Sequence, residues 1–155
     1  MHISQTHKIV LLYQGAANAV SCDTVSMKNF HSGAIVVTHT GSADTDLTLT
    51  VKEATSVAGA SVQTVANNVD IYADTDAGTS SDVLVRQTSA KTYTIDTGVA
   101  PNQVVVFEID PDALSAGFDC VSLDDSGGNA SNVVNITFIG VPRYPGIPLA
   151  AAITD

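Results

Sequence analysis

An all-β fold, either a single-domain β-sandwich or a jelly-roll-like barrel, is predicted by three features of this 155-residue sequence. These are its residue usage, the spacing of its apolar runs and the two-residue alternation within them. The chain carries 20 Val and 17 Thr against 8 Leu, and 14 of its 16 acids are Asp. β-Branched side chains suit a pleated strand, while the helix formers Leu, Glu and Lys are scarce. Asp favours turns, where its short carboxylate bonds nearby backbone N–H groups, so the acids are expected on loops. At this length one domain with one core is the expectation.

In chain order, the strand candidates are KIVLL (8–12), SCDTVSM (21–27), GAIVVTHT (33–40), DLTLTVKEA (46–54), VDIYAD (69–74), DVLVRQT (82–88), TYTIDT (92–97), QVVVFEID (103–110), FDCVSLD (118–124) and NVVNITFIG (132–140). Gly, Asn, Asp and Ser clusters separate them. In DLTLTVKE, Leu47, Leu49 and Val51 take one face and Thr48, Thr50 and Lys52 the other; in NVVNITFIG, Val134, Ile136 and Phe138 share a face. AIVV and QVVVF are apolar on both faces, which predicts central strands or a covering subunit. One short helical turn is expected at DPDALSAG (110–117), with Asp110 as cap, Pro111 at the first helical position, Asp112 at the positive end of the dipole and Gly117 as terminator. The domain is expected to span 1–140, with residues 1–8 as a candidate N-terminal arm. Residues 141–155, with three prolines between 142 and 148, read as an extended C-terminal tail leaving the domain.

The net charge of −10 opposes a polyanion or an anionic lipid surface, so neither nucleic acid nor membrane is an expected partner. No stretch approaches the roughly 20 apolar residues of a membrane span, and the apolar core Ile9 to Tyr13 is too short for a signal peptide. A soluble protein used without secretion is the expectation. Cys22 and Cys120 then read as separate buried thiols.

KNFHSGAIVVTHTGSADTD (28–46) raises the question of a metal centre built from His31, His39, Asp44 and Asp46. Eight residues of strand put the two imidazoles on one face but about 26 Å apart at roughly 3.3 Å per residue, too far for one ion. They read as strand-end or surface histidines. ADTDL, YADTDAGTSSD and LDDSGGN offer oxygen ligands of the kind calcium takes, but Gly78 follows Asp74 and Asp76 one position early for an EF-hand and no Glu completes it. Turn chemistry accounts for them. There is no G-x-S-x-G elbow, and Trp is absent. The expected protein is not an enzyme and holds no metal or cofactor.

Taken in order, SQTHKIVLL, VSMKNFHSGAIVVTHTG, LTLTVKEATSV, VVVFEIDPDALSAGFDCVSLD and VPRYPG resemble segments of small head proteins encoded beside the major capsid protein in tailed bacteriophages. The resemblance covers roughly residues 4 to 146 and departs at the apolar end after Arg143 and Tyr144. It implies a capsid decoration, or cement, protein: a structural virion protein on the capsid exterior, present in host cytoplasm during assembly. Its partner would be the major capsid protein, and it would act as a homo-oligomer, with a trimer favoured. On that reading Ile9 and Val10 pair with a neighbouring sheet edge, Tyr144, Ile147 and Leu149 fill apolar grooves, and Arg143 meets a carboxylate. The alternatives are a carbohydrate- or host-surface-binding sandwich using calcium at the Asp loops, and a neck or tail component of the virion.

Overall fold

Eleven strands appear in the computed structural model, which describes residues 3–80, 82–144 and 152–153. They are β1 (Lys8–Ala16), β2 (Val25–Ser26), β3 (Phe30–Thr40), β4 (Leu47–Ala54), β5 (Gln63–Thr64), β6 (Asp70–Asp74), β7 (Val85–Arg86), β8 (Thr92–Ile95), β9 (Asn102–Ile109), β10 (Cys120–Gly127) and β11 (Val133–Pro142). One helical turn, Ile3–Thr6, precedes β1, and a 3-10 turn, Pro111–Ala113, follows β9.

The strands form two antiparallel sheets. The six-stranded sheet runs β1-β11-β3-β9-β6-β7. The five-stranded sheet runs β2-β10-β4, and the far edge of β4 is shared by β8 along Leu47–Thr50 and β5 along Lys52–Glu53. Setting β1, β11, β3 and β9 against β2, β10, β4 and β8 gives the strand order of a jelly roll, with β6 and β7 added beside β9. The fold is therefore a jelly-roll sandwich.

Alternation decides what meets between the sheets. Leu47, Leu49 and Val51 of β4 and Val134, Ile136 and Phe138 of β11 all point inward and are fully buried, as their spacing predicts. Ile35 and Val37 of β3 and Val105 and Phe107 of β9 join the same core. Burying each such side chain contributes roughly 1.5–3 kcal/mol. Phe30 and Phe138 meet edge to face, their centroids 5.3 Å apart at 71°. Gly33 and Gly140 are cross-strand partners, and a Cβ on either would run into these rings. Two facing glycines thus make the space that two phenylalanines fill.

β3 and β9 lie inside the six-stranded sheet, as their two apolar faces predict. Other boundaries moved. The run 21–27 yields only Val25–Ser26 and the run 82–88 only Val85–Arg86, because edge segments pair only where a neighbour reaches them. β5 escapes a reading by apolar pattern, since Gln63 and Thr64 are both polar and exposed. Asp110 occupies the cap position before the 3-10 turn but makes no side-chain cap bond; its carbonyl instead accepts from the Ala113 N–H at 2.9 Å. β11 runs two residues past the expected end, with Pro142 at its last position, where a missing N–H costs the sheet little. Of the expected tail 141–155, residues 145–151 and 154–155 lie outside the described residues; the Ala152 carbonyl accepts from Ser26 N at 2.8 Å, and Ala152 is 7% exposed.

Candidate partner-binding surface

The two histidines of the 28–46 stretch do not share a face. Ser32 pairs with Val141 and Phe30 with Pro142, leaving His31 as the extra residue of a bulge that shifts the alternation. His31 is exposed, while His39 is 1% exposed inside the sandwich. Asp44 and Asp46 sit exposed in the following turn. Among the described residues, no three His, Cys, Asp or Glu side chains converge as a ligand set.

The Asp-rich loops use their carboxylates locally. Asp74 Oδ1 accepts from Asp76 N at 3.1 Å, and Asp96 Oδ1 accepts from Gly98 N at 3.0 Å. Ser80 Oγ donates to the Asp76 carboxylate. These are turn-forming bonds of the kind short acidic side chains make. Cys22 and Cys120 are both free thiols, and burial first of all pushes each up to about 12, far from the thiolate a nucleophile needs.

What distinguishes this molecule is the difference between its two outer sheet faces. On the five-stranded sheet, Thr48 and Thr50 of β4 lie opposite Thr94 and Thr92 of β8, and opposite Ser126 and Asp124 of β10. Thr48 and Thr94 share a hydroxyl hydrogen bond of 2.8 Å, and Lys52 meets Asp124 at 3.4 Å. That surface is made for water.

The outer face of the six-stranded sheet carries an aliphatic band, bounded on one side by the polar row Gln14, Asn135, Thr38. One cross-strand row reads Leu11, Thr137, Val36, Val106, Tyr72, and the next begins Ile9, Ile139, Ala34. Val36, Val104, Val106, Ile139 and Tyr72 are half-buried by their neighbours, while Ile9 is 52% and Leu11 51% exposed. β1 and β7 are the sheet's outer strands, Asp23 N donates to the Leu12 carbonyl of β1 at 3.0 Å, and Val83, Leu84 and Val85 are exposed beside β7. An exposed apolar patch of this kind marks an interaction surface.

The residues singled out for an interface divide accordingly. Ile9 belongs to this face. Val10 does not: it points into the core at 8% exposure, because strand alternation sends Ile9 and Val10 to opposite sides. Leu11, which the uninterrupted apolar run KIVLL gives no reason to prefer, takes its place. Arg143 is tied to its own chain, with Nε donating to the Phe30 carbonyl at 2.7 Å and its N–H to the Asn29 carbonyl at 2.9 Å. Tyr144 is 68% exposed. Ile147 and Leu149 lie outside the described residues.

No protein-family model matches the chain, and neither a curated protein nor a solved structure is significantly similar to it. The jelly-roll assignment stands on strand order alone.

Proposed function

We propose that this chain is a structural virion protein that binds the outside of a tailed-phage capsid and stabilises it by bridging neighbouring capsid subunits. The contrast between the two outer faces carries the reading: the threonine-rich sheet suits solvent and the aliphatic sheet suits a protein surface. The acidic charge fits an exterior position, where repeated negative charge also discourages particles from aggregating. Mechanically, many copies would each clamp adjoining subunits, and modest contact energies would add around the shell. A rigid sandwich serves this purpose well, because little conformational freedom is lost on docking. No step of the role calls for chemistry.

The test is to add the purified chain to expanded shells that lack it. Saturable binding in a fixed ratio to capsid subunits, with a raised disruption temperature, is the expected result. Leu11→Lys with Val36→Lys should weaken binding at least about tenfold, while Thr48→Lys with Thr94→Lys on the opposite face should leave it unchanged. Shells that take up no protein would remove the proposal.

A further inference from the structure

The aliphatic face is bounded unevenly, and its acidic side points to what the partner must bring. Next to Ile139 and Ala34, the same cross-strand row continues to Glu108 and then Asp70. Here the face opens into a cleft of about 540 Å³, with Ala34, Ile139 and Val141 among its apolar lining, Asp70, Glu108 and Asp110 as its acids, and His7, its Nδ1 2.8 Å from Thr6 Oγ1, at its wall. That volume is in the range of pockets that hold a small ligand or a short stretch of peptide. Asp70 and Glu108 are direct cross-strand partners, an arrangement of like charges that costs a sheet stability. Asp70 is compensated within the chain, by Arg86 at 2.9 Å and Ser89 Oγ at 2.6 Å. Glu108 and Asp110 form no salt bridge among the described residues, and Glu108 acts on Arg86 only through space.

We infer that this cleft receives an extended, lysine- or arginine-bearing segment of the partner subunit, its apolar side chains against Ala34, Ile139 and Val141 and its cation between Glu108 and Asp110. The inference rests on the reading of the aliphatic face as the partner-binding side and names the chemistry of what binds there. Charge complementarity selects this occupant over a second copy of the chain, which at net charge −10 would bring mainly like charge to the acids. The Arg86–Asp70 pair illustrates, within one molecule, a guanidinium held by an acid of this same row.

Fluorescence anisotropy with a labelled decapeptide of alternating Val and Lys, against its Val and Glu counterpart, tests the inference on the full chain. The Lys peptide should bind saturably and the Glu peptide should not. Raising sodium chloride from about 50 to about 300 mM should weaken binding roughly tenfold. Glu108→Lys with Asp110→Lys should weaken it at least as much, while Asp44→Lys with Asp46→Lys, the same charge change in a distant exposed turn, should leave most of the affinity. Equal loss in the two variants would reduce the effect to overall charge and overturn the inference. So would spermidine binding as tightly as the peptide, since a small cation would then suffice. Repeating the shell-binding assay with the Glu108/Asp110 variant separates the two ideas. Full binding at high salt would sink the basic segment and leave capsid binding standing; peptide binding without shell binding would do the reverse.

Discussion

The two ends of the sandwich bury ionisable side chains in opposite ways. At the end of β4, Glu53 is fully buried, yet its carboxylate accepts from Gln63 Nε2 at 2.6 Å, Ser115 Oγ at 2.5 Å and Ser115 N at 2.8 Å. Burial alone would raise its pKa, but the hydrogen bonds from Ser115 and Gln63 outweigh that and hold it below the ordinary value. At the other end of the sandwich, on β3, His39 is as deeply buried, and among the described residues neither ring nitrogen makes a well-formed hydrogen bond. Burial lowers its pKa, opposed only by the nearby Pro101 carbonyl, which already accepts from Gly41 N at 3.0 Å. One end is held by its charged residue; the other buries a residue whose charged form is disfavoured. Burial by itself therefore says nothing of whether an ionisable group stabilises a fold. Its partners decide.

The largest effect should come from breaking the satisfied end. Glu53→Ala leaves the Ser115 N–H, the Ser115 hydroxyl and the Gln63 amide without their acceptor and should cost about 3 kcal/mol in urea unfolding. Because the folded pKa is depressed, the contribution of this carboxylate is complete above the ordinary value of 4.5 and is lost as pH falls through the folded value. The variant should therefore lose part of the wild-type stability decline below that pH. A cost near zero would mean that the loop after the 3-10 turn holds itself, and the two ends would be alike.

The histidine end should depend on its amides instead. Asn132, fully buried, clamps Ala43 through Oδ1 at 3.0 Å and Nδ2 at 2.9 Å. Gly41, at φ +143, lies so close that a Cβ there would strike the Asn132 side chain. Asn132→Ala should cost about 2 kcal/mol by thermal or urea unfolding, more than any change at His39. A larger effect at His39 would reverse the assignment of roles at this end.

How much of this was legible depended on how far away the deciding partner lay. The inward and outward sets of β4 and β11 are local facts, written in alternation, and Leu47, Leu49, Val51, Val134, Ile136 and Phe138 all fell where the pattern put them. The side of the sheet that His31 takes is not local, because the bulge is defined only when Val141 and Pro142 pair across from it. Arg143 looked free for a partner because the carbonyl it reaches belongs to Phe30, 113 residues earlier. Glu53 sits in an ordinary alternating strand, and its donor Ser115 lies 62 residues on. The aliphatic outer face was half visible. AIVV and QVVVF announced apolar surface on both sides, but only the strand order aligned Leu11, Val36, Val106 and Tyr72 into one row.

The smallest predicted change is also the one that reverses in sign. Replacing His39 by Phe keeps an aromatic ring in the site and removes two buried nitrogens that make no well-formed hydrogen bond among the described residues, so the fold should gain up to about 1 kcal/mol at neutral pH. The pH dependence follows from the depressed folded pKa. The neutral ring is fully accommodated above the ordinary value of 6.5, and stability falls as pH drops below it, because the unfolded chain then binds a proton that the folded one excludes. Wild-type protein should thus melt at a lower temperature at about pH 5 than at about pH 7.5, and His39→Phe should narrow that gap while Glu53→Ala leaves it in place. The two buried groups would then act in separate windows, the imidazole just below 6.5 and the carboxylate below 4.5. If the phenylalanine variant keeps the full gap between those two pH values, the imidazole is not what senses acid at its end of the sandwich, and the contrast with Glu53 loses its physical basis.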